Sequence, residues 1–189
     1  NSVFGNINFN HSIIDNFFYV STDQDSQEIM APILNQYEGK IKYSSLKLEK
    51  SFDFGKWTLD NSIIYQIINQ NEDILNLPQF MSRNTLFFSE RIFRNTLAIQ
   101  TGLNFKIFSK YYANEYNPLI SDFHIQNQKK IGSFPLFDFF FNAKIRQTKI
   151  FIIAEHINSS FTGNNFYSTP ESVYRDFGVR FGFKWNLFN

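Results

Sequence analysis

An antiparallel all-β transmembrane barrel is the fold class this sequence predicts, and three observations predict it. Apolar and polar residues alternate with a period of two, in several runs for ten or more residues. The connections between those runs are alternately short and long. The chain also carries 25 phenylalanines and 19% aromatics at a mean hydropathy of only −0.29. A soluble domain that rich in Phe would show long aliphatic core runs. Here Asn, Gln, Ser, Lys and Asp dilute the aromatics, often at every second position, as expected of strands with one face in lipid and one in water.

Taken in order, strands are expected at about 5–20, 42–54, 57–69, 80–91, 95–109, 135–146, 148–157 and 173–188, about eight spanning segments in all. In the second, Leu46, Leu48, Phe52 and Phe54 alternate with Lys47, Glu49, Ser51 and Asp53. In the fifth, Leu97, Ile99, Leu103, Phe105 and Ile107 oppose Thr96, Gln100, Gly102, Asn104 and Lys106. In the sixth, Phe137, Phe139, Phe141, Ala143 and Ile145 oppose Asp138, Phe140, Asn142 and Lys144. The last strand is the clearest, with Val173, Phe177, Val179, Phe181, Phe183, Trp185 and Leu187 on one face. Tyr174, Asp176, Gly178, Arg180, Gly182, Lys184 and Asn186 share the other. Strands in globular sheets average ~5–6 residues, whereas a tilted strand crossing a bilayer needs ~9–11. Short connections fall at Gly55–Lys56, Ile92–Phe93 and Gln147, and long polar ones at about 21–41, 70–79, 110–134 and 158–172. Short periplasmic turns and long external loops are the barrel rule, and following the alternation to the end puts the C-terminus in the periplasm. Ile120–Gln128 alternates briefly, but counting it as a crossing would put the C-terminus outside, so it is read as a hairpin arm within a loop. Tyr111, Tyr112 and Tyr116, and then Phe161, Phe166 and Tyr167, lie beyond strand ends, where rings favour the headgroup level. A local core within the final loop accounts equally well for the second group.

Other classes receive no support. The net charge is +1 with no basic run, so no nucleic-acid partner is expected. No apolar run approaches the ~20 residues of a transmembrane helix. The chain starts at Asn1 with no signal-peptide h-region, so either a leader has been removed or the segment is an internal cut. Zero cysteine suits export through an oxidising periplasm. No cofactor or metal is expected, since His11 and His124 have no partner at ligand spacing. His156, Asn158, Ser159 and Ser160 could be imagined as a hydrolase rim. No Gly-rich oxyanion turn accompanies them, and an interfacial histidine is the simpler reading, so no catalytic residue is assigned.

The charged face is the candidate functional surface. Lys106, Lys144, Lys149, Arg180 and Lys184 are expected to point into the lumen near Asp138, Glu155 and Asp176, with Glu155 paired to Lys149. Mixed charge there can set the field of a diffusion pore, or it can knit a closed barrel shut; eight strands leave an interior just filled by side chains and a larger barrel opens a channel. The end of the chain adds an assembly signal. Arg180, Gly182, Trp185 and Leu187 have the spacing by which barrel-assembly machinery recognises a last strand, although Asn189 rather than an aromatic ends the chain. An edge strand must offer unpaired backbone for such templated pairing.

From about Leu75 onward the chain carries Leu77-Pro78, Arg83-Asn84-Thr85-Leu86, Gln100-Thr101-Gly102, Lys110-Tyr111-Tyr112-Ala113, Tyr116-Asn117-Pro118 and Gln126-Asn127. The series continues through Phe139–Lys144, Arg146-Gln147-Thr148, Ala154-Glu155-His156, Tyr174-Arg175-Asp176-Phe177 and the terminal Gly-x-x-Trp-Asn. In these motifs the sequence resembles the putative porin family of Bacteroidota outer membranes. The resemblance implies an outer-membrane barrel whose members are longer, with residues 1–189 as the C-terminal portion of one barrel domain. The implied role is non-enzymatic: a porin for small polar solutes, or a sealed barrel that joins a larger outer-membrane complex. The partners expected are the lipid bilayer, the assembly machinery and other outer-membrane proteins.

Overall fold

A computed structural model describes residues 5–22, 32–162 and 166–186. Eight strands form one antiparallel sheet in chain order: β1 (Asn6–Ile14), β2 (Ile41–Phe54), β3 (Trp57–Asn69), β4 (Phe80–Ile92), β5 (Leu97–Phe108), β6 (Leu136–Ile145), β7 (Thr148–Glu155) and β8 (Gly178–Trp185). Each strand pairs with its sequence neighbour, the arrangement that direct hairpin connections allow. Among the described residues β1 and β8 do not pair with each other, so the sheet is an open wall.

The period-two pattern becomes two chemically opposite faces because the register carries it unbroken from strand to strand. One row across the wall runs Leu59, Leu86, Leu103, Phe139, Ala154 and Val179. The row one residue away runs Asp60, Thr85, Asn104, Asp138, Glu155 and Gly178. The apolar face is left uncovered: Phe181 is 83% exposed, Phe183 74% and Phe9 71%. Cross-strand rings reinforce it, with Trp57 and Phe88 5.4 Å apart and Phe105 and Phe137 5.0 Å apart. Polar residues interrupt it at Lys50, Asn61 and Asn84, where Asn84 donates to Ser82 Oγ at 2.9 Å and the Lys50 ammonium lies 4.8 Å from the Phe52 ring centre.

The two ends of the wall differ. Three tight turns close one end. Gly55 takes a φ of 69°, Phe93, Arg94 and Asn95 take 52°, 52° and 68°, and Arg146 takes 52°. At the other end, residues 15–40, 70–79, 109–135 and 156–177 make long connections. They join the adjoining strand ends in two small cores, Tyr37 and Ile74 with Ile41 of β2 in one and Phe134 and Phe166 with Leu136 of β6 in the other. With the exception of Ala143, the buried apolar residues of the described chain lie at this end.

Two expected boundaries move. β1 stops at Ile14 because Asn16 turns left-handed (φ 55°), and Phe17–Thr22 instead pairs with Pro32–Tyr37 in a loop hairpin. Asn tolerates that conformation better than most side chains. At the other end of the chain, Ser172–Val173 pairs with Tyr167–Thr169, so β8 starts only at Gly178. The 120–128 segment does stay out of the wall, with Asp122–His124 paired to Glu115–Asn117 inside its loop.

Candidate functional site: the polar face of the wall

Seven of the eight charged residues singled out from the sequence share one face. Register places Lys106, Asp138, Lys144, Lys149, Glu155, Arg180 and Lys184 together, whereas Asp176 is exposed and lies outside the strands, just before β8. Two recesses open on this face, one over β2–β5 and one over β4–β8.

The charges separate into two groups along the strands. Near the long-loop end, Lys106 Nζ lies 2.7 Å from Asp138 Oδ2, and Asp138 Oδ1 accepts the His156 backbone N–H at 3.0 Å. Glu155 takes Arg175 at 3.0 Å through one oxygen and Arg180 through the other. Both carboxylates are nearly buried, and each ties the wall to the loop that follows β7. The expected Glu155–Lys149 pair is therefore not formed. The two residues share a face but lie six apart on one strand, ~20 Å at the usual rise, and two nearer guanidinium groups occupy the carboxylate.

Near the tight-turn end the same face is basic. Lys144 sits directly across from Lys149, and Lys149 directly across from Lys184. Arg91 occupies the same row, two strands from Lys144, with Ala98 between them. Between the two charged zones lies an uncharged belt containing Gln100, Asn142, Phe140, Phe151, Gly102 and Gly182. Gly102 is required by close approach: a Cβ there would stand 2.2 Å from the Leu86 carbonyl oxygen and 2.7 Å from Phe87 Cα. At Gly182 a Cβ would meet only the tip of the Phe151 ring, at 2.6 Å. Rings laid beside strand glycines restore the contact those glycines lack.

Several polar-face residues escaped the sequence reading. Arg83, whose side chain reaches Asn104 at 3.4 Å, and Arg91 were both missed. The same alternation, applied along residues 80–91, marks them. Of the residues expected to form an assembly signal, Arg180 and Gly182 lie on the polar face of β8, Trp185 lies on the apolar face, and Leu187 is outside the described residues.

The three histidines lie apart from the charged rows, and His124 Nδ1 and His156 Nε2 are buried without a hydrogen-bond partner among the described residues. His156 is 1% exposed, stands edge-on to Phe166 and Tyr174, and shares a 2.8 Å hydrogen bond with the Arg175 carbonyl through Nδ1. His124 is buried 3.8 Å from Glu115, and His11 meets Ser44 Oγ at 2.9 Å. Among the described residues no three His, Cys, Asp or Glu side chains gather as a metal site. No helix is long and apolar enough to cross a membrane, which says nothing of strands. The final-loop aromatics divide: Phe166 joins a loop core, Tyr167 lies under the Lys129 ammonium at 4.0 Å, and Phe161 is exposed. Burial pushes the Tyr111 phenol above its ordinary value.

A family model described as "Putative porin" matches residues 2–189, and the chain belongs to that family. The match reaches well upstream of Leu75, where the recognisable motifs begin. Searches of the curated proteins and of the solved structures return no significant match. Membership suggests a porin-like protein of the outer membrane, and a porin-like family suggests a non-enzymatic role.

Proposed function

We propose that this chain forms part of the wall of an outer-membrane pore through which small polar solutes diffuse passively. One observation carries the reading: a single sheet presents an uncovered apolar face and an opposite face lined with Lys, Arg, Asp and Glu. A wall of that kind is stable only between lipid and water. In this reading the polar face lines the lumen, the tight turns and the C-terminus are periplasmic, and the long loops are external. Among the described residues the edges of β1 and β8 are unpaired, which supports a barrel larger than these eight strands. The free edge of β8 also suits a strand that the assembly machinery templates.

The test is single-channel conductance of the full-length, detergent-purified protein in a planar bilayer. Discrete steps are expected. Silence from a folded, heat-modifiable barrel would overturn the pore. The packed long-loop end favours a second reading, a sealed barrel that serves as subunit of a larger complex, and in that case a stable co-purifying partner is expected.

A further inference from the structure

Like charges set directly opposite one another destabilise a sheet, so an uncompensated row of them needs a reason. Lys144, Lys149 and Lys184 stand side by side on three adjacent strands, all exposed, with Arg91 in the same row. Among the described residues none of the four forms an ion pair. The polar-face carboxylates nearest along their own strands, Asp138 and Glu155, lie six residues up β6 and β7 and are taken by Lys106, Arg175 and Arg180. Glu90 lies close in sequence but faces the other side of the sheet, where it pairs with Lys56. Asp53 is several strands away on β2 and accepts a hydrogen bond from Thr58. The next row is uncharged, with Gln100 and Asn142 amides rather than carboxylates beside the lysines. Arg91, Lys144, Lys149 and Lys184 also line one recess, in which the other charged residue, Glu90, is held by Lys56. A concave surface where charges of one sign predominate focuses field and raises the local concentration of counter-ions.

We propose that this basic row is an anion station: it binds the oxyanion of a small carboxylate- or phosphate-bearing solute and gives the pore a preference for anions. Directly opposite Cβ atoms lie ~5 Å apart, so three flexible lysine stems can bring their ammonium groups onto one oxyanion. The inference rests on the pore reading and adds the class of solute to it.

The test uses the full-length protein in planar bilayers under a potassium chloride gradient, with inorganic phosphate as the probe. Wild type is expected to pass chloride in preference to potassium and to lose chloride current when phosphate is added. In K144Q/K149Q/K184Q the preference should fall, with each charge at contact in water worth about fivefold, and phosphate should no longer block. Lys56→Gln removes one positive charge, as Lys149→Gln does, at the same end of the wall but beside Glu90 on the opposite face, and should shift selectivity less than Lys149→Gln. The triple Lys→Arg variant should retain it, and Lys149→Gln alone, at the centre of the row, should give an intermediate value. A conducting wild type that prefers cations, or a triple Gln variant with unaltered selectivity, overturns the anion station and leaves the pore standing. A folded but silent wild type overturns the pore itself, and the station with it.

Discussion

The middle of the wall and its long-loop end are held together by different physics. In the wall, strands meet through backbone ladders and cross-strand side chains, and little is buried; most of its large apolar residues lie on the uncovered face, with Phe140 and Phe151 among the exceptions. At the loop end, Phe134, Phe166 and Tyr174 pack as the core of a small soluble domain would, with Phe134 and Phe166 centroids 4.7 Å apart. Side-chain hydrogen bonds fasten the loops to one another. Asn127 donates to the Asp73 carbonyl at 3.0 Å and accepts from Asn76 at 2.8 Å, and Gln126 donates to the Ala113 carbonyl at 2.6 Å. The wall thus depends on a solvent that covers its apolar face, while the loop end supplies its own cover. Barrel and loops are expected to respond separately to substitution.

The largest separation comes from Phe134→Ala. Removing a buried Phe costs ~3–5 kcal/mol, here confined to the loop end, so the Tyr174 amide, which bonds the Phe166 carbonyl, should exchange faster while the wall amides stay protected. A wall that loosens equally would make the two regions one cooperative unit. Next comes a matched pair of neighbours. If the apolar face meets lipid as proposed, Arg in place of Ile152 on that face should cost about 2–4 kcal/mol near the bilayer midplane and lower the yield of heat-modifiable barrel. Ile153→Arg, one residue away on the polar face, should fold normally. Equal damage from both would contradict the assignment of faces.

Gly102→Ala is expected to be smaller, on the order of 1–3 kcal/mol, read as a lower urea midpoint in detergent. Its Cβ strikes neighbouring backbone, whereas Gly182→Ala meets a ring tip that can swing aside and should cost less. The smallest effect belongs to Lys56→Ala. Its exposed pair with Glu90 is worth about 0–1 kcal/mol, and a midpoint shift beyond that range would show that the tight-turn end is held more firmly than its exposure implies.

The motifs behind the family resemblance read differently with the fold in view. Gln126-Asn127, Tyr174-Arg175 and Glu155-His156 are largely fasteners between loops, or between loop and wall, and Pro78 offers its carbonyl to Gln66 at 2.6 Å. Those contacts join residues distant in sequence, so no local pattern announces their partners. The Glu155 pairing shows the same limit. Lys149 shares a strand with Glu155, but Arg175 comes from the loop after β7 and Arg180 from the neighbouring strand β8.

The sequence alone determined the architecture of the wall. A period of two over so many residues permits only one assignment of faces, because successive side chains must point opposite ways. It also determined which charges share a face, apart from Asp176, and where tight turns alternate with long loops. Only the tertiary structure decided how those charges group. Cross-strand register sets Lys144, Lys149 and Lys184 side by side and brings Arg180 to Glu155, and loop closure adds Arg175. Alternation fixes the side of a residue, whereas its neighbours follow from strand pairing and loop return, which act between residues far apart in the chain.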